Sequence, residues 1–91
     1  MMQIMSFIIN LLLNCWFPNP YRLGMTFNCD LSERQVDYHL QVYNSLGQLV
    51  HRQKINPGED HIDALLYPGI YITHISQAGK ILDVRKLIVI E

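Results

Sequence analysis

Turn signals recur about every ten residues through most of this chain, the spacing of a β-sandwich. Four stretches carry them: Asn44-Ser45-Leu46-Gly47, Asn56-Pro57-Gly58-Glu59, Tyr67-Pro68-Gly69-Ile70 and Gln77-Ala78-Gly79-Lys80. Asparagine suits the first position of a type I turn, and Gly47 supplies the left-handed residue that a bulged hairpin needs. The two Pro-Gly pairs occupy the central positions expected of type II turns, with positive φ at Gly58 and Gly69. Gln77 to Lys80 reads as a further tight hairpin.

The segments between the turns have the period of strands. Met25, Phe27, Cys29 and Leu31 alternate with polar residues. Val36, Tyr38, Leu40 and Val42 alternate with Asp37, His39, Gln41 and Tyr43, the cleanest period-two run in the chain. Gly47 to Gln53 is a shorter strand, and Asp60 to Leu65 a weak strand or bend. Ile70 to Ile75 is apolar at alternate and intervening positions alike, as a central strand covered on both faces is. Ile81 to Ile90 is the last strand. No segment has a helical period. The expected fold is all-β: an immunoglobulin-like antiparallel β-sandwich of about six or seven strands, with Val36–Val42 and Ile70–Ile75 central and buried.

Composition limits the partners. Hydrophobic residues make up 49% of the 91 positions and charged ones 16%, which excludes a disordered tail. The net charge is −1, so no basic stripe predominates and nucleic acid is not an expected partner. A chain this short has a thin core.

Residues 1–16 read differently from the rest. Ile4 to Cys15 is almost wholly apolar, too short to span a bilayer but the length of a signal-peptide core. No Lys or Arg precedes it and no small-x-small site follows. The expected organisation is a leader or degenerate signal segment over 1–16 and one folded domain over 17–91, with the boundary at Pro18-Asn19-Pro20, where two prolines forbid helix continuation. Cys29 reads as a small buried hydrophobe, while a Cys15–Cys29 bond stays open because sequence gives no distance.

Residues that could carry chemistry do not assemble into a motif. His39, His51, His61 and His74 lack metal-ligand spacing. Ser45 sits in a turn with no Gly-x-Ser-x-Gly elbow, and Ser6, Ser32 and Ser76 have no motif around them. Asp60 and Asp63 lack a second pair for acid–base work. Asp30, Glu33 and Asp37 lack the glycine and terminal glutamate of a calcium loop. No enzyme activity, cofactor, metal or small-molecule substrate is expected.

Three blocks, in order, resemble a known family. They are Pro18-Asn19-Pro20, the strand–turn–strand Leu40 to Val50 with Asn44 and Gly47, and Leu66-Tyr67-Pro68-Gly69-Ile70-Tyr71-Ile72 followed by Gly79-Lys80 and Lys86-Leu87-Ile88-Val89-Ile90. Together they resemble the C-terminal sorting domain of the type IX (Por) secretion system of Bacteroidetes. The resemblance implies an immunoglobulin-like domain that directs cargo across the outer membrane, with the cell surface or medium as destination. It implies two partners, the outer-membrane export machinery and a sortase-like peptidase. The candidate recognition residues are Lys86, Leu87, Ile88, Val89 and Ile90: an exposed terminal strand, Leu87 to Ile90, adds to a partner's sheet through its backbone, while Lys86 is either a recognition feature or a gatekeeper charge that blunts edge pairing. The alternative is a free-standing immunoglobulin-like interaction or assembly module, like those of flagellar hook-capping proteins, although Asp60 to Leu66 lacks their Trp-Asp-Gly block. Almost no cargo precedes the domain here, so the expectation is a gene fragment or a domain kept for another use.

Overall fold

The structure, a computed structural model, describes residues 13–31, 37–56 and 58–91. The apolar run up to residue 12, Ser32, Glu33, Val36 and Pro57 lie outside the described residues. Among the described residues eight strands follow in order: β1 (Leu13–Trp16), β2 (Tyr21–Arg22), β3 (Thr26–Leu31), β4 (Tyr38–Tyr43), β5 (Leu49–Lys54), β6 (Gly58–His61), β7 (Gly69–Gln77) and β8 (Lys80–Ile90). They form two sheets, one ordered β1-β3-β6 and the other β2-β8-β7-β4-β5. The fold is the expected all-β sandwich, and the order β8-β7-β4 is compatible with the G-F-C core of an immunoglobulin-like sheet.

The strand count exceeds six or seven because the start of the chain contributes to both sheets. β1 pairs antiparallel with β3. The chain then crosses through Phe17 to Pro20, with a cis Asn19–Pro20 peptide bond, and β2 pairs with β8 in parallel. That parallel pair departs from the all-antiparallel expectation. Pro18 and Pro20 cannot donate to a ladder, so the crossover falls where strand pairing is weakest. Leu13–Trp16, read as leader from the sequence, is therefore a strand of the sandwich.

The core lies between the sheets. Cys15, Phe27 and Cys29 come from the small sheet, Tyr21, Leu40, Val42, Tyr71, Ile75, Leu87 and Val89 from the large one, and Ile55 and Ile62 from the connections between them. Phe17 stacks on Phe27 at 4.6 Å. Cys15 and Cys29 stand opposite each other in the β1–β3 register and are joined by a disulfide. Both are buried, so Cys29 is a core residue as read from the sequence, and the open question of its partner is answered by the cross-strand pairing. Tyr21 ties the sheets together with its hydroxyl, which donates to the Met25 carbonyl (2.7 Å) and accepts from the Ile62 N–H (3.2 Å).

Turn chemistry explains the hairpins. The Gly47 N–H donates to the Asn44 carbonyl (3.0 Å), the Asn44 N–H to the Gln48 carbonyl (2.9 Å), and Gly47 has φ 80°. The Asn44 side-chain oxygen accepts from the Leu46 and Gln48 N–H groups. The register slips between Val42 and Tyr43, as a bulged hairpin requires. Ala78 and Gly79 both have positive φ (52° and 79°), the backbone of a type I′ turn. Gly58, φ 82°, is left-handed as expected but opens β6 opposite Cys29. Gly69 has the expected positive φ, 158°, but far from the value of about 80° that a type II turn takes, and it opens β7 opposite Val89. The left-handed type II reading of Tyr67–Ile70 is corrected accordingly.

One burial expectation and the bounds of two strands are also corrected. β7 is central, between β8 and β4, but Ile70 and Ile72 are 51% and 36% exposed. The small sheet covers only one face of the large one, so residues one step out of phase with Tyr71, Thr73 and Ile75 face away from the core. The strand read over Asp60–Leu65 ends at His61, and the one read from Met25 starts at Thr26, because Met25 closes a turn on the Arg22 carbonyl (3.0 Å).

Candidate recognition surface

The terminal strand β8 is held from both sides. β7 flanks it along its length. On the other edge, Tyr21 and Arg22 pair with Val89 and Ile90. Just before that pair, the Asn19 side-chain oxygen accepts from the Ile88 N–H (3.0 Å), taking the place of a ladder carbonyl. The Arg22 guanidinium donates to the Glu91 carbonyl and ties down the end of the strand. Strand addition at Leu87–Ile90 therefore has no free edge to use, because β2 and Asn19 already hold it. Backbone N–H groups alternate in direction along a strand. Since that of Ile88 points to the β2 edge, those of Lys86 and Val84 point the same way, below the reach of β2.

Side-chain direction divides the expected recognition residues. Leu87 and Val89 are buried in the core, Ile88 and Ile90 are half-buried on the opposite face, and Lys86 is exposed there. Of the motif residues, Pro18 is buried and Asn19 and Pro20 are exposed at the crossover, while Asn44 and Gly47 shape the β4–β5 hairpin. Pro68 and Gly69 lead into β7. Tyr71 is buried with its hydroxyl donating to the Tyr67 carbonyl (2.6 Å). The blocks that are separate in sequence thus meet at two places: the crossover beside the end of β8, and the opposite edge of the same sheet. Sequence reasoning missed Tyr21 and Arg22. Their only signal was position, directly after Pro20.

The face of the large sheet that points away from the core can be read in rows from the pairing. One row runs Arg52, Gln41, His74, Val84 across β5, β4, β7 and β8. The next runs Leu49, Tyr43, Ile72, Lys86, and beyond it Ile70 faces Ile88. Tyr43 and His74 are in ring contact at 4.6 Å. Chemically, this face offers apolar surface and cations. The depression of about 280 Å³ near the β4–β5 hairpin is lined by Val50, Leu66, Tyr67 and Tyr71 among others, with no carboxylate, histidine or nucleophile. Among the described residues, no three His, Cys, Asp or Glu side chains are grouped to hold a metal.

A family model described as the secretion system C-terminal sorting domain matches residues 16–91. The chain belongs to that family. No curated protein matches it significantly. The matched residues run from Trp16, the last residue of β1, through β8, and so cover the described sandwich apart from Leu13–Cys15. The sorting domain is a C-terminal signal for type IX secretion, which sends its bearer across the outer membrane to the cell surface or the medium. Its family is one of sorting signals and not of enzymes, in keeping with a site that offers a surface and a strand.

Proposed function

We propose that export machinery in the outer membrane reads this domain as a folded address, and that Lys86, Ile88 and Ile90 on the outward side of β8 belong to the surface it reads. Leu87 and Val89 serve the same strand from inside, by anchoring it in the core. A sortase-like peptidase is the second partner that this role requires. The observation carrying the proposal is the family match over the residues that make the sandwich. The free-standing interaction module is not favoured by that match. We also place Leu13–Trp16 within the folded module, because β1 supplies Cys15 to the disulfide and to the core.

The test is a fusion of Leu13–Glu91 to the C-terminus of a periplasm-targeted reporter, in a host that carries the type IX machinery. The reporter is expected on the cell surface or in the medium. Deleting Lys86–Glu91 removes two core residues together with the outward ones, so it is expected to leave the reporter in the periplasm and to unfold the domain. Lys86→Gln keeps the fold, with a stability change under about 1 kcal/mol at an exposed site, and isolates the charge. A folded, intact fusion that stays in the periplasm refutes the proposal.

A further inference from the structure

The two sheets carry opposite charge. The strands of the small sheet contain Asp30, Glu59 and Asp60 and no Lys or Arg. The strands of the large sheet contain Arg22, Arg52, Lys54, Lys80, Arg85 and Lys86 against one carboxylate, Asp83. A net charge of −1 conceals this separation. Three of the six cations have partners: Lys54 with Asp37 (3.1 Å), Arg85 with Asp83 (2.9 Å) and Arg22 with the Glu91 carbonyl. Arg52, Lys80 and Lys86 have none among the described residues. Arg52 and Lys86 stand on opposite sides of the outward face, on β5 and β8, three inter-strand spacings across and two residues along, roughly 16 Å apart.

Between them the surface is apolar along the Tyr43–Ile72 row, with Gln41 and His74 in the row beside it. Ile72, Tyr43 and His74 occupy the middle, with Val84 (55% exposed) and Ile70 at the margin. Among the strand residues of this face no carboxylate projects, because Asp83 shares the side of Arg85, in phase with buried Leu87, while Asp37, just before β4, is held at the far end of the face by Lys54. An apolar centre with unpaired charges at its rim is the anatomy of a protein-binding patch, and a rim of one sign selects a partner of the other.

We infer that the outward face of the β8-β7-β4-β5 sheet docks an acidic protein surface of the export machinery, with Arg52 and Lys86 at the rim and Ile72 at the centre. The inference rests on the sorting reading and extends it to β5, a strand distant in sequence from the C-terminus. Electrostatic complementarity orients the encounter, and the apolar centre supplies the contact area. The acidic outer face of the small sheet, with Asp30 and Glu59, points the other way and takes no part.

The experiment uses the Leu13–Glu91 reporter fusion in a type IX host, with three variants. Arg52→Glu/Lys86→Glu reverses the rim, Ile72→Thr removes apolar surface while keeping a β-branched residue, and Asp30→Lys/Glu59→Lys reverses the opposite face as a control. Each isolated domain is expected to melt within about 3 °C of the parent, as exposed substitutions do. A rim or centre variant that fails this check is replaced by Arg52→Gln/Lys86→Gln. Export of the rim variant is expected to fall at least about 10-fold, the effect of roughly 1.4 kcal/mol lost in binding, with folded reporter retained in the periplasm. Ile72→Thr is expected to lower it less, and the control to export normally. Normal export of a folded rim variant, or equal loss in the control, overturns the inference and leaves the sorting reading standing. Failure of the unsubstituted fusion overturns both. If sedimentation shows a dimer that the rim variant converts to monomer while export is unchanged, the face binds a second copy of the chain and the inference is wrong.

Discussion

Reducing the Cys15–Cys29 disulfide is expected to cost this domain about 3 kcal/mol of stability. The bond joins residues 14 apart in sequence. Closing a loop of about 15 residues removes roughly 10 cal/mol/K of entropy from the unfolded chain, or about 3 kcal/mol at 25 °C. Among the described residues β1 pairs with β3 alone, so the bond reinforces that single ladder and the Phe17–Phe27 stack beside it. Urea unfolding monitored by circular dichroism, with and without reductant, measures the effect on one sequence and avoids the cavity that Cys→Ala changes would leave. A slope near 1 kcal/mol/M, usual for a chain this small, turns the loss into a drop in midpoint of about 2–3 M. Hydrogen exchange is expected to speed up first in Leu13–Trp16. Midpoints agreeing within about 0.3 M would refute the argument, and would mean that β1 is held by packing alone.

Ala78 has φ 52° in the β7–β8 turn, so Ala78→Asn creates the favoured Asn-Gly pair and is expected to stabilise by about 1 kcal/mol, read as a higher urea midpoint. Gly47→Val forces a β-branched residue to φ 80° and is expected to destabilise by roughly 1–3 kcal/mol; an unchanged midpoint would show that the hairpin assignment is wrong. Tyr21→Phe strips the partner from the buried Ile62 N–H and is expected to cost about 1–3 kcal/mol, with calorimetry as the check. Starting the reporter fusion at Phe17 instead of Leu13 removes β1 and the disulfide, and is expected to lower the melting temperature by more than about 5 °C.

Much of the fold was legible in the sequence because its signals are local. Asn44 and Gly47 specify a bulged hairpin through their own hydrogen bonds and backbone freedom, and the alternation of Tyr38, Leu40 and Val42 marks one face of a strand whatever it packs on. Those residues adopt the expected conformations. The family blocks were legible for the same reason, being turns and strand ends at set spacing. What needed the tertiary structure depends on which strands become neighbours. Ile70 and Ile72 carry no mark telling a covered face from an open one, because the small sheet that decides it comes from β1, β3 and β6, far away in the chain. Leu87 and Val89 looked the same as Ile88 and Ile90 until the pairing with β7 assigned the first two to the core. Asn19 and Arg22 became ligands of the terminal strand only when the chain crossed between sheets beside it. The separation of charge is likewise invisible along the sequence, where Arg52 and Glu59 stand close together. It arises because the chain changes sheets between β5 and β6, placing neighbours in sequence on opposite faces of the domain.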